Sequence, residues 1–194
     1  KPLFYALALS QPRDYSLATM LPDQAVTWTD GKGKIWEPHN FDRREYGDLS
    51  MLEALTRSLN LASVSLGMRL GLDEVRDYLG HLGVGRDLPA YPSILLGAVE
   101  MSPFELAEAY TALANDGFQV PLRAIIEVMD QKHQKLSRYG LKIRKVMAPE
   151  TAALVRFAMT RVVKRGTARG LNEDFSKVMP LAGKTGTSSD HRDS

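Results

Sequence analysis

The sequence predicts an α+β fold, a helical part combined with antiparallel strands, on three observations. Helix-start signals recur at separated points, at Ser50-Met51-Leu52-Glu53, Ser102-Pro103-Phe104-Glu105 and Ala148-Pro149-Glu150. Apolar, β-branched stretches at 122–130 and 141–147 flank a charged turn and read as a hairpin. No regular alternation of strand and helix runs through the chain, which argues against a doubly wound parallel sheet.

Taken in order, Leu3, Phe4, Leu7 and Leu9 give a short helical face that Pro12 ends. Residues 13–49 form a loop-rich excursion containing a hairpin-like segment from Trp28 to Trp36, and an excursion of this length is often functional. Ser50 and Glu53 make a capping box, the serine hydroxyl accepting from the Glu53 N–H and the carboxylate returning to the Ser50 N–H. That helix runs out at Ser58-Leu59-Asn60. Further helical patterns pass through Val64, Leu66 and Leu70, and from Asp73-Glu74 to near Gly83. Ser102 and Glu105 form a second capping box with Pro103 at the first helical position, and Asn115-Asp116-Gly117 is the stop. A helix from Pro149 carries Leu154, Phe157, Met159, Val162 and Val163 and closes at Gly166. The run V-M-P-L-A-G, too short for a helix, places Lys184 on or beside a strand.

With 194 residues, 44% of them hydrophobic, the chain can bury one sizeable core. A net charge of +2 from 25 basic and 23 acidic residues is no polybasic footprint, so nucleic acid is a poor partner. No apolar run approaches the roughly 20 residues that span a bilayer. The absence of cysteine removes any disulfide or thiolate nucleophile, and the four histidines show no metal-ligand spacing. Lys1 leads directly into an apolar stretch and the far end stops without a closing element. The chain therefore reads as an internal segment, 1–194, of a longer protein, truncated at both ends.

The stretch L-A-G-K-T-G-T-S, 181–188, suggests first a phosphate loop. That loop needs G-x-x-x-x-G-K-S/T before a helix, whereas Val178 holds the first glycine position and Gly186 opposes a helix start. A second use is as a strand edge for an extended ligand ending in a carboxylate. Lys184 supplies positive field, Thr185 and Thr187 can donate hydrogen bonds, and Gly186 permits close backbone approach. On its own the triplet is also compatible with an ordinary edge-strand turn. Ser58-Leu59-Asn60 can project a hydroxyl and an amide into a cleft, the one relaying a proton and the other binding a carbonyl, or can be a plain helix boundary. S-x-N and K-T-G in this order, with S-x-x-K, are the signatures of penicillin-binding proteins and serine β-lactamases.

The chain resembles the transpeptidase domain of bifunctional class A penicillin-binding proteins, of the 1b type, over essentially all its length. The resemblance is carried by A-L-A-L-S-Q-P after Lys1, W-x-P-x-N-F-D-R-R, A-L-T-R-S-L-N at 54–60, L-L-G-A at 95–98, V-V-K-R-G-T-A at 162–168 and L-A-G-K-T-G-T-S. It implies the penicillin-binding and serine β-lactamase-like fold, here incomplete. It also implies a D,D-transpeptidase cross-linking peptidoglycan stem peptides through a serine acyl-enzyme, with β-lactams acylating the same serine. Lys1 then matches the lysine of S-x-x-K as general base, and the serine lies upstream, so the segment alone is expected to be inactive. Ser58 relays protons to the leaving amine and Asn60 holds the substrate amide. Lys184 adds charge, Thr185 and Thr187 bind the terminal carboxylate, Gly186 lets the backbone approach, and the N–H of Thr187 or Ser188 completes the oxyanion hole.

The same resemblance implies no metal and no cofactor. The implied partners are stem peptides ending in D-Ala-D-Ala, β-lactam antibiotics and other cell-wall synthesis proteins. The implied setting is the periplasmic side of the bacterial inner membrane, with a glycosyltransferase domain and an anchor elsewhere in the protein. A D,D-carboxypeptidase or β-lactamase-like hydrolase, and a non-catalytic β-lactam sensor, are the alternatives. Trp28 and Trp36 read as hairpin packing or a sugar or peptide contact, Arg43 and Arg44 as solvated or paired surface charges or as steering for an acidic stem peptide, and His39, His81, His133 and His191 as surface or satisfied loop residues. Gly166-Thr167-Ala168 reads as a helix stop or a cleft wall.

Overall fold

All eight residues of the first helix, α1 (Pro2–Leu9), are buried, which fits a helix apolar on every side and places it at the centre of the molecule. A computed structural model describes residues 1–84, 88, 90–175 and 179–186. In chain order α1 is followed by β1 (Met20–Asp23), β2 (Trp28–Thr29), β3 (Ile35–Trp36), β4 (Gly47–Ser50), α2 (Met51–Thr56), α3 (Asn60–Leu70) and α4 (Leu72–His81). A 3₁₀ turn (Pro92–Leu96), α5 (Pro103–Ala114), β5 (Phe118–Gln119), β6 (Glu127–Met129), β7 (Lys135–Arg138), β8 (Arg144–Lys145), α6 (Pro149–Arg165) and α7 (Arg169–Phe175) complete the series.

The core forms where α1 meets α3, α4 and α6. Phe4 and Tyr5 lie there with Leu21, Met51, Leu55, Leu66 and Val155, all inaccessible or nearly so. On α6 the buried side chains Thr151, Ala152, Val155, Ala158, Met159, Val162 and Val163 recur at three- and four-residue steps. That stripe lies against α1, α2 and α5. A buried tyrosine needs a partner for its hydroxyl. Tyr5 finds one in Ser63, at 3.0 Å.

The strands form antiparallel pairs, β1 with β4, β2 with β3, β5 with β8 and β6 with β7. The Trp28–Trp36 hairpin expected from sequence is present, with those two residues directly opposite. Their rings pack against Tyr91, at centroid distances of 4.8 and 6.4 Å. The hairpin expected from 122–130 and 141–147 forms differently. Asp130 accepts the N–H groups of Lys132 and Gln134 and closes a tight local turn. That turn pairs 127–129 with 135–138, leaving Arg144 and Lys145 to pair with Gln119 and Phe118.

Of the two capping boxes, the one at Ser102 is complete. At Ser50 the hydroxyl accepts from the Glu53 N–H, while the Glu53 carboxylate turns to Arg165 of α6, at 3.3 Å. No strand is present at Lys184 among the described residues, because the backbone of 179–186 has no ladder partner there. It is held to α6 by the Gly183 N–H on the Met159 carbonyl. Val178 and His191 lie outside the described residues. Among the described residues no helix is long and apolar enough to cross a membrane, and no group of three or more acidic, histidine or cysteine side chains converges as a metal site.

Candidate active site

The turn between α2 and α3 shapes the site. Leu59 is buried and its backbone is extended, so the residues on either side of it are left to face outward. Ser58 adopts a left-handed conformation, φ 60°, which a non-glycine residue rarely takes. The outcome is that both flanking polar residues reach one amine, that of Lys1. Its Nζ lies 2.6 Å from Asn60 Oδ1, 2.9 Å from the Ser58 carbonyl oxygen and 3.5 Å from Ser58 Oγ.

The two short contacts of Lys1 are both to acceptors. A neutral amine has two N–H donors and one lone pair, so these acceptors take both protons and leave the lone pair directed elsewhere. Burial, aided by the Lys184 charge and opposed by Asp23, lowers the Lys1 pKa from 10.5 to about 7. A lysine poised near 7 can act as a base at neutral pH. Lys184 is also lowered, to about 8, by burial. Its Nζ donates to the Thr185 carbonyl at 2.9 Å and lies 3.2 Å from Thr185 Oγ1.

The structure thus brings Lys1, Ser58 and Asn60 into direct contact and couples Lys184 to Lys1 through charge, without a hydrogen bond between the two lysines. Thr185 and Gly186 are exposed beside them. Thr187 and Ser188, expected to bind carboxylate and to donate backbone N–H groups, lie outside the described residues.

The segment Arg165-Gly166-Thr167 joins the two motif-bearing parts. Thr167 Oγ1 is 2.6 Å from Thr185 Oγ1. A side chain on Gly166 would put its Cβ 2.2 Å from the Thr56 carbonyl oxygen, so glycine is needed for α6 to approach the end of α2. Sequence reasoning gave Gly166-Thr167-Ala168 only as a helix stop or a cleft wall.

It also assigned no role to Asp23 and Asn40, which lie under the turn. Asn40 Oδ1 accepts from the Asn60 N–H at 2.7 Å, and Asp23 Oδ1 from the Ala62 N–H at 3.0 Å. One signal was available for Asp23: it is the lone acidic residue of the strand M-L-P-D. At the rim the Arg57 guanidinium stacks on the Tyr46 ring, 3.8 Å from its centroid, and the Tyr46 hydroxyl donates to Asp42. Arg43 and Arg44 are exposed, as expected of surface charges.

Residues 1–193 match the family described as the penicillin binding protein transpeptidase domain. Penicillin-binding protein 1B of Vibrio cholerae is 41% identical over 195 residues, covering 100% of this chain and 25% of that protein. Penicillin-binding protein 1B of Escherichia coli is 38% identical over 196 residues, covering 100% of this chain and 23% of that protein. The chain therefore spans about a quarter of the length of these curated relatives. The crystal structure of penicillin-binding protein 1A from Haemophilus influenzae superposes with a TM-score of 0.87 at 24% identity, covering 97% of this chain and 33% of that one. Penicillin-binding protein A of M. tuberculosis, in its imipenem acyl-enzyme complex, superposes at 0.77 with 21% identity, covering 96% of this chain and 47% of that one. With this match along nearly its whole length, the chain belongs to the penicillin-binding protein transpeptidase family, alongside relatives named penicillin-binding protein 1B.

Proposed function

We propose that the intact protein is a serine D,D-transpeptidase that cross-links peptidoglycan stem peptides and is acylated by β-lactams. The observation that carries this reading is the contact of Lys1 Nζ with Asn60 and Ser58, with the amine held near neutrality. In this reading the nucleophile is the serine three residues before Lys1 in an S-x-x-K motif.

Lys1, as the free amine, takes the serine proton while the serine oxygen attacks the penultimate D-Ala carbonyl. When the tetrahedral intermediate collapses, the C–N bond to the terminal D-Ala breaks, and Ser58 relays to the departing amine the proton that Lys1 took, which leaves Lys1 neutral again. The amine of a neighbouring stem then attacks the acyl ester, forms the new amide and returns the serine its proton. Asn60 has one carboxamide N–H on the His39 carbonyl at 2.7 Å, which leaves its other N–H for substrate. Lys184, Thr185 and Thr187 receive the terminal carboxylate, with Gly186 allowing its approach, and the Thr187 or Ser188 N–H stabilises the oxyanion. The setting is the periplasmic side of the inner membrane, with the anchor and a glycosyltransferase domain in other parts of the protein.

The test is labelling of the full-length protein with a fluorescent penicillin, followed by mass mapping of the modified residue. Label on the serine three residues before Lys1, lost in Lys1→Ala, is the expected result. An unlabelled full-length protein, or label that persists at full rate in Lys1→Ala, rejects the reading.

A further inference from the structure

We propose that Asp23 and Asn40 are positioning residues for the Ser58–Asn60 motif, holding the first turn of α3 so that the Asn60 carboxamide meets the Lys1 amine. This rests on the reading of Lys1 and Asn60 as catalytic groups.

The first N–H groups of a helix have no partner within it and need acceptors from outside. At most helix starts the N-cap side chain provides one. Here the N-cap residue is Leu59, which has no acceptor and whose side chain is committed to the core. The need is met from two distant positions. Asn40 Oδ1 accepts from Asn60 N–H at 2.7 Å and Leu61 N–H at 3.3 Å, and Asp23 Oδ1 accepts from Ala62 N–H at 3.0 Å. The first three N–H groups of α3 are thus satisfied by two side chains.

Those side chains are themselves fixed. Asp23 is 0% and Asn40 4% exposed, and a buried carboxylate is tolerated only when its oxygens are well supplied with donors. Asp23 Oδ2 accepts from Asn40 Nδ2 at 2.7 Å and from the Tyr46 N–H at 3.0 Å, while Asn40 Nδ2 also donates to the Arg44 carbonyl at 2.8 Å. The negative charge sits at the positive end of the α3 dipole. Next to Asn40, the His39 carbonyl accepts from Asn60 Nδ2 at 2.7 Å. Segment 39–40 therefore fixes Asn60 twice, by its backbone and by its amide, and turns Oδ1 toward Lys1.

The charged groups acting on Lys1 are Asp23 from β1 and Lys184 from the 179–186 segment, with opposite effects, while Ser58 and Asn60 contribute uncharged contacts. Replacing the Asp23 carboxylate by an amide removes the opposing charge and leaves one acceptor oxygen for the three donors, Asn40 Nδ2 and the Tyr46 and Ala62 N–H groups, that its two oxygens take. Replacing Asn40 by alanine removes the anchor and leaves that charge in place.

The experiment measures the second-order acylation rate of full-length protein by a fluorescent penicillin across pH, per folded molecule, for Asp23→Asn and Asn40→Ala. Misplacement of a catalytic group by about an ångström costs up to roughly a hundredfold. Both variants are expected to slow by about 10- to 100-fold. Asp23→Asn is also expected to move the acid limb of the profile to lower pH, and Asn40→Ala to leave it in place. A purely structural role lowers thermal stability without slowing the folded fraction. If Asp23→Asn does not fold, Asn40→Ala carries the test. Folded variants with rates within about twofold of the parent, or failure of both to fold, overturn the proposal. A parent that is never acylated rejects the transpeptidase reading itself, whereas an acylated parent with indifferent variants rejects only the positioning role.

Discussion

The hydroxyls of Thr167 and Thr185 meet at 2.6 Å, joining the turn after α6 to the K-T-G segment. Thr185 therefore has one side fixed by Thr167 and the other facing Lys184, whose Nζ is 3.2 Å from its Oγ1. The orientation of its hydroxyl is set by a residue 18 positions away in sequence.

Thr167→Val keeps the shape and removes that hydrogen bond. The expected result in full-length protein is a three- to tenfold loss in acylation rate by a penicillin, the equivalent of about 1 kcal/mol, with helix content unchanged by circular dichroism. Thr167→Ser is expected to restore most of the rate. Equal rates in valine and parent proteins would show that Thr185 needs no such partner.

Gly166→Ala tests the close approach of α6 to α2. The new Cβ meets a backbone carbonyl at 2.2 Å, and a backbone atom cannot turn aside as a side chain can. Overpacking of this kind costs about 1–3 kcal/mol, read as a lower urea midpoint at unchanged slope. Because the displaced carbonyl belongs to Thr56, close to Ser58, acylation is expected to fall as well. A variant of parental stability would contradict the contact.

Ser58→Gly separates backbone from hydroxyl. Glycine accepts the left-handed φ of 60° without strain and keeps the carbonyl that Lys1 contacts, so stability should stay within about 1 kcal/mol of the parent. Loss of the proton relay should slow acylation by about a hundredfold or more. Full activity in Ser58→Gly would exclude the hydroxyl from proton transfer.

The acid limb of acylation should lie near pH 7, where burial and Lys184 hold Lys1, and the rate should fall about tenfold per pH unit below it. Stability carries the same sign. An unfolded chain keeps Lys1 protonated up to about 10.5, whereas the folded one releases that proton near 7, so folding is favoured progressively as pH rises between those values. Lys184 adds to this from about 8 upward. A urea midpoint of the transpeptidase unit that is no higher at pH 9 than at pH 7 would contradict both lysine environments.

The helices were legible because their caps and apolar periods are local. Ser102 with Glu105, and Pro149 through Gly166, fall where their residues alone demand. The strands were less legible. β1 and β4 are four residues each, and their pairing depends on Leu21 and Leu49 meeting across a long loop. The candidate site shows the same division. Ser58, Asn60 and Lys184 stand out as motif residues, whereas Asp23, Asn40 and Thr167 act through contacts that span 17 to 39 positions. Ser50 shows how tertiary contact overrides a local signal, since Arg165 draws away the carboxylate that would have completed its box.

Because the Lys1 amine is held by acceptors 57 and 59 positions away, the site is knit from chain segments that meet only after most of the fold is in place. Helical signal and catalytic competence should therefore separate in time on refolding. Far-ultraviolet ellipticity is expected to return first, and the penicillin acylation proposed for the full-length protein only after the segments 57 and 59 positions apart have met.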